Sequence, residues 1–304
     1  MKASWTRRAT LALATVGAAA LLAACGDGDV VSDLKPTRFL TVGDSFADVG
    51  QTGGKFTVND GSNTWVQGLA AHYDQTVAPA AQGGWGYAQG YARVDSADTS
   101  SGANTPSVKQ QLDALLARTT MQSGDVMMLN GGMHDIVAAV EATGISDATT
   151  VAVQAAGRAL AAQVRRVVAA GATHVVVTGV QNVGLTPWAL RRDQKDAIER
   201  LSIAFNDQLL INIADMGATV LYFDASLFFN LINNKPDNYS VDNEKDPVCL
   251  TPDAATCTPS TVVPGADYNR YMYADSFNYT PKIQRNFVDR DYGENAYDKF
   301  KNRW

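Results

Sequence analysis

Three scarcities bound what this chain can do. It has only three histidines and three cysteines in 304 residues, and no group of His, Cys, Asp and Glu has the spacing that holds a metal. Neither a metal nor another cofactor is expected. Positive charge is also scarce: 25 Lys and Arg stand against 31 Asp and Glu, a formal net charge of −6. Such a surface repels phosphate backbones, which argues against nucleic acid as a partner. Beyond the first two dozen residues there is no apolar run long enough to span a bilayer. The glycine-rich run Gly83-Gly84-Trp85-Gly86-Tyr87-Ala88-Gln89-Gly90 lacks the dinucleotide fingerprint and has no clear strand before it. There is no internal repeat, no domain linker and no sign of an obligate protein partner. What is present is an apolar fraction of 46%, enough for a real core. The length suits one large α/β domain or two small ones.

The first residues read as a targeting segment. Lys2, Arg7 and Arg8 precede an apolar stretch, residues 9–24, too short and too alanine-rich for a good spanning helix. Leu22-Ala23-Ala24-Cys25 resembles the lipobox of bacterial lipoproteins, in which the cysteine is lipidated and becomes the new N-terminus; a plain secretory signal is the alternative reading. The resemblance divides the chain into a signal peptide over 1–24, a lipidated N-terminus and tether over 25–37, and one domain over 38–304. Gly26 in place of aspartate after the cysteine implies the outer membrane, at its periplasmic face or the cell surface. The acyl chains at Cys25 are then the only firm membrane attachment. Cleavage leaves 22 basic against 31 acidic residues, a formal charge of −9. In an exported protein Cys249 and Cys257, close together in a polar, proline-rich stretch, read as one disulfide. Closing so short a loop is expected to stabilise by roughly 2–3 kcal/mol.

Short apolar runs alternate with helical periodicity along the rest of the chain. Strands are expected over 38–42, 125–130, 174–178 and 219–223, and helices over 64–73, 147–170 and 193–216, with another opened by Thr105-Pro106 and buried through Val108, Leu112, Leu115 and Leu116. Strand–helix alternation of this kind is the signature of a parallel sheet covered on both faces. Residues 51–61 read as an excursion with a small hairpin through Lys55-Phe56-Thr57-Val58. Residues 235–267 read as a polar surface loop stapled by the disulfide. The charged and aromatic tail over 289–304 finds no place in this scheme.

The chain is organised around Thr41-Val42-Gly43-Asp44-Ser45-Phe46-Ala47-Asp48-Val49-Gly50. A serine just past a buried strand, beside a glycine that permits a tight turn, is well placed as an exposed nucleophile. All three residues of Gly43-Asp44-Ser45 also favour ordinary turns, and these ten residues do not choose between the two readings.

Gly43-Asp44-Ser45-x-x-Asp48-x-Gly50 resembles the first block of the GDSL/SGNH family of serine esterases and lipases. Tyr87-Ala88-Gln89-Gly90 is similar to part of the second block, with Gly86 in the usual asparagine position and Tyr91 in that of the second glycine. Gly132-Met133-His134-Asp135 is similar to the third, with His134 in the asparagine position. Asp275-Ser276-Phe277-Asn278 matches the last block at Asp275, with Asn278 where the family has histidine. The resemblance implies a three-layer α/β/α fold with a central parallel sheet. It implies hydrolysis of small carboxylic esters or lipids, Ser45 as nucleophile, and an oxyanion held by the Ser45 and Gly90 backbone N–H groups with help from His134. Asp275 would orient the base.

An asparagine amide cannot take a serine proton and return it near neutral pH. Two readings follow. His134, the only histidine expected near Ser45, replaces the base, although it can equally be an oxyanion donor or a packing residue. Alternatively the chain is a catalytically degenerate hydrolase fold serving as a binding module in the cell envelope. His72 reads as a solvated surface residue, and His174 as structural because it starts its strand. Asp44, Asp48 and Asp135 read as residues that orient turns.

Overall fold

The computed structural model describes residues 32–98, 100–101 and 104–304; the expected signal segment and Cys25 lie outside them. Four parallel strands form the sheet in the order β1 (Arg38–Val42), β2 (Asp125–Leu129), β3 (His174–Thr178) and β4 (Val220–Phe223). All are almost entirely apolar, as strands buried on both faces must be. Side chains alternate between the faces. Leu40, Val42, Met127, Leu129, Val175 and Val177 enter one core; Phe39, Val126, Met128, Val176 and Phe223 enter the other.

The first core is covered by helices that connect neighbouring strands: α2 (Val108–Arg118), α3 (Met133–Thr143), α4 (Asp147–Ala169) and α6 (Lys195–Ile213), with the short α5 (Pro187–Leu190) at their edge. In α4 the buried stripe runs through Val153, Leu160, Val164 and Val167, while Val151 is 60% exposed. Strands laid down in sequential order by crossovers of one hand place those crossovers on one face. The other face needs cover from elsewhere. It comes from α1 (Trp65–Ala71) and from everything after β4: α7 (Ala225–Asn234), α8 (Pro281–Asn286) and α9 (Ala296–Arg303). The tail that had no place in the sequence scheme therefore completes the second layer. Phe300 is fully buried, with its ring 6.2 Å from Phe39 and 5.2 Å from Tyr73. The expected tether is anchored from its last residues onward: the Ser32 hydroxyl and the Leu34 N–H both donate to the Trp304 carbonyl.

Two local expectations are corrected. Residues 51–61 form no hairpin; Phe56, Thr57 and Val58 are buried coil. The 235–267 insertion is more than a surface loop. Its strand β5 (Asn243–Pro247) pairs in parallel with β6 (Tyr271–Tyr273), and Val248, Cys249, Ala254 and Cys257 build a third small core with Val58 and Ala274. The Cys249–Cys257 disulfide is present. This core forms because the cystine, both halves of it buried, supplies apolar volume that the polar loop around it lacks.

Candidate active site

The C-terminal ends of the strands carry the site, as open parallel sheets generally do. Immediately after β1, Gly43 lies so close to β2 that a Cβ there would stand 1.7 Å from Asn130 Oδ1. Only glycine fits. Gln111 on α2 fixes the turn from the other side, accepting from the Gly43 N–H at 2.8 Å and donating to its carbonyl at 3.0 Å. Asp44 accepts from the Phe46 N–H at 3.1 Å and from the Asn130 amide. Asp48 accepts from Gly50 and Gln51 at 2.8 and 2.9 Å. Both aspartates orient turns as expected, and burial pushes each carboxyl up to about 6.

These bonds tie the blocks to one another. The second reaches the first through Gln89 N–H to the Gly43 carbonyl and Gly90 N–H to Asp48, and the segment of the third reaches it through the Asn130 amide to Asp44. The last block arrives through aromatic contacts: Tyr279 lies 6.1 Å from Phe46, and Phe277 lies 6.0 Å from His134.

Two expectations about the site change. Ser45 was expected to be exposed, but it is 1% exposed, and its Oγ is buried with no hydrogen-bond partner. Gly90 was expected to aim its N–H at an oxyanion. That N–H is committed to Asp48 Oδ2 at 2.8 Å, because the buried carboxylate needs a donor there. Glycine is required at position 90 for another reason: a Cβ would stand 1.8 Å from the Phe56 ring.

His134 is the second residue of α3, 96% buried, and its Nε2 has no hydrogen-bond partner. Burial pulls its imidazole down to about 4, so the ring is neutral at pH 7. A helix N-terminus disfavours the cation in the same direction. Its neighbour Asp135 accepts from the Val94 N–H at 3.0 Å and lies 3.5 Å from Arg93; burial pushes that carboxyl up to about 7.

Asp275 is buried and held by many donors. It accepts from the N–H groups of Ala254, Phe277 and Asn278 at 2.9, 2.8 and 2.8 Å. The Asn278 amide nitrogen donates to both of its oxygens, at 3.1 and 2.9 Å. Burial raises the Asp275 carboxyl from its ordinary value. Asn278 is thus gripped by the aspartate as a histidine would be, but with a group that holds no transferable proton near neutral pH.

The other histidines stand apart. His72 Nε2 is 3.1 Å from the Val288 carbonyl, with its ring stacked on Tyr297 at 3.9 Å. It is exposed, as expected, but docked. His174 begins β3 at the opposite edge, beside Trp304. Asn182, also just past a strand end, caps its own turn through the Gly184 N–H. Among the described residues no His, Cys, Asp or Glu cluster could hold a metal.

Sequence reasoning missed Gln111, Asn130 and Tyr91. Gln111 carried a usable signal, being a polar residue one turn from Val108 on the buried face of a helix. Tyr91 adopts a left-handed backbone, φ +66°, which costs a bulky residue about 1–3 kcal/mol. Its signal was its place where the resembling family has glycine.

Comparison with solved structures finds similar chains at low identity. Phospholipase A1 from Streptomyces albidoflavus NA297 is 17% identical, with 81% of this chain and 93% of that one covered and a TM-score of 0.41. Est24, a carbohydrate acetylesterase from Sinorhizobium meliloti, is 12% identical over 82% and 93%, with a TM-score of 0.42. The extracellular lipase from Streptomyces rimosus is 15% identical over 88% and 100%, also at 0.42. No curated protein sequence matches. The GDSL-like lipase/acylhydrolase family matches residues 39–290, from the first sheet strand to just short of the final helix, and the chain belongs to that family of ester hydrolases.

Proposed function

We propose that the protein hydrolyses carboxylic esters with Ser45 as nucleophile and His134 as the proton acceptor. One observation carries the reading. Ser45 Oγ and His134 Nε2 are both buried without a hydrogen-bond partner, on segments joined through Asp44 and the Asn130 amide. A buried polar atom left unpaired costs about 1–3 kcal/mol, and such atoms mark places where a fold keeps capacity for chemistry. The neutral imidazole takes the hydroxyl proton as Oγ attacks the ester carbonyl. The Ser45 backbone N–H holds the oxyanion. The imidazolium then returns the proton to the leaving alkoxide, an acyl-enzyme forms, and water releases the acid by the same steps reversed. Asp275 keeps Asn278 in place beside them.

The substrate class is a small ester or a lipid. The protein works without cofactor, nucleic acid or obligate protein partner. It is exported and held at the outer membrane by acyl chains on Cys25. Incorporation of a clickable palmitate by the wild type, lost in Cys25→Ser, supports the anchor; equal labelling of both overturns it.

The rival reading, a catalytically silent binding lipoprotein, has its own supporting observation: the asparagine amide at 278 is fully engaged by Asp275. Release of a chromogenic short-chain ester separates the two. Turnover that disappears in Ser45→Ala and in folded His134→Ala supports His134 as base. Silence of the wild type with activity gained in Asn278→His establishes the binding module.

A further inference from the structure

Every candidate reacting group is at least nine-tenths buried: Ser45, His134, Asp275 and Asn278 are 1, 4, 4 and 7% exposed. Two partly exposed rings, Tyr91 and Phe277, stand among the segments that carry them. The Tyr91 ring lies 5.2 Å from His134 and 5.5 Å edge-on to Phe56. Burial, and then the nearby carboxylates of Asp253 in the cystine loop and of Asp275, hold its hydroxyl protonated. That loop is immobilised in turn. The Asn59 amide donates to the carbonyls of Ala254 and Cys257, the disulfide closes the loop, and the Ala254 N–H rests on Asp275. Phe56, Tyr91, His134, Phe277 and Trp188 form one unbroken row of rings at 5.5, 5.2, 6.0 and 5.6 Å.

Tyr91 holds its place in a backbone conformation that favours glycine, φ +66°. A bulky residue kept there against local preference points to a role, since the surrounding structure must over-determine it. We infer that Tyr91 is a specificity-determining residue that closes the site over His134, beside the cystine loop, and limits the length of the acyl group the site accepts. A longer acyl chain would need the volume the ring occupies. The inference rests on ester hydrolysis at Ser45 for its substrate class, whereas the closure itself does not depend on turnover.

Two measurements on Tyr91→Gly and Tyr91→Asn, both of which suit a left-handed backbone, test it. The first is kcat/KM for p-nitrophenyl acetate and p-nitrophenyl octanoate. The second is the rate at which diethyl pyrocarbonate modifies His134, read by peptide mass. The wild type should prefer acetate. In the variants the octanoate-to-acetate ratio should rise at least about 10-fold, as expected when a hydrophobic site gains room for methylenes, and His134 should be modified faster. Tyr91→Phe, which keeps the ring, should stay close to the wild type. A wild type that takes octanoate as readily as acetate overturns the inference, as does a ratio unmoved in both variants. If no ester is turned over by any form, the proposed function fails on its own, and His134 modification alone decides closure: unchanged rates refute it, faster rates uphold it.

Discussion

The two edges of the sheet solve the same problem differently. At the edge where the strands begin, polar groups are paired, with the buried Tyr73 hydroxyl beside Phe39 and Phe300 an exception. The Arg38 guanidinium forks onto Asp125 at 2.7 and 2.6 Å. Arg118 donates to the Gly83 and Gly84 carbonyls, Arg303 to those of Gly217 and Ala218, and Ser32 and Leu34 to Trp304. At the edge where the strands end, Ser45 Oγ, Asn130 Oδ1 and His134 Nε2 are buried and unpaired, and four aspartates, Asp44, Asp48, Asp135 and Asp275, are pushed above their ordinary range by burial. One edge is built for stability. The other keeps costly groups in place, the arrangement expected where strain and desolvation serve a reaction.

Substitutions at the two edges should therefore differ in sign as well as size. The largest effect belongs to the supporting edge: Phe300→Ala should lose about 3–5 kcal/mol, as fully buried phenylalanines do, with turnover per folded molecule unchanged. Denaturant unfolding alongside an active-site titration checks both parts. Arg38→Ala should follow, at about 3 kcal/mol, because it strands the buried Asp125 without a counter-charge. Ser45→Ala should go the other way. Removing an unpaired buried hydroxyl should raise stability by roughly 1 kcal/mol while ending turnover. A Ser45→Ala variant that unfolds as readily as Arg38→Ala would erase the contrast between the edges.

The smallest effect is a displacement along the pH axis. His134 has a folded value of about 4, below the ordinary 6.5. Its contribution to stability is therefore present above pH 6.5 and lost as pH falls through 4. Asp44, Asp48 and Asp135 have the opposite sign, with folded values of about 6, 6 and 7 against 3.8. Their contribution is present below pH 3.8 and lost as pH rises through 6–7. Thermal melts should show a shallow net decline from pH 5 to 8, since the carboxyls outnumber the one histidine. If His134 is the base, its acid limb in kcat/KM should lie near pH 4 and not near 6.5.

The strands and major helices were readable because their signals are local, and so were the motif residues Ser45, His134, Asp275 and Asn278. What escaped depended on neighbours distant in the chain. Gly90 matched a motif, yet its N–H goes to Asp48, 42 residues away. Phe300 and Trp304 looked like a loose tail, because nothing near them announces that one face of the sheet would be left bare without them. The insertion around Cys249 and Cys257 read as polar because its few apolar residues gain a core only by meeting Val58 and Ala274.

The order of residues alone settles that this chain alternates strand with helix, that a serine follows the first strand, and that Asp275 is followed three residues later by Asn278. Folding decides the rest: that the serine is covered, that an expected oxyanion donor is already engaged, that the His134 imidazole is buried and unpaired, and that a tyrosine ring lies against it. The first set follows from propensity and periodicity over a few neighbouring residues. The second turns on which donors, acceptors and rings meet once segments tens to hundreds of residues apart are packed together and desolvated.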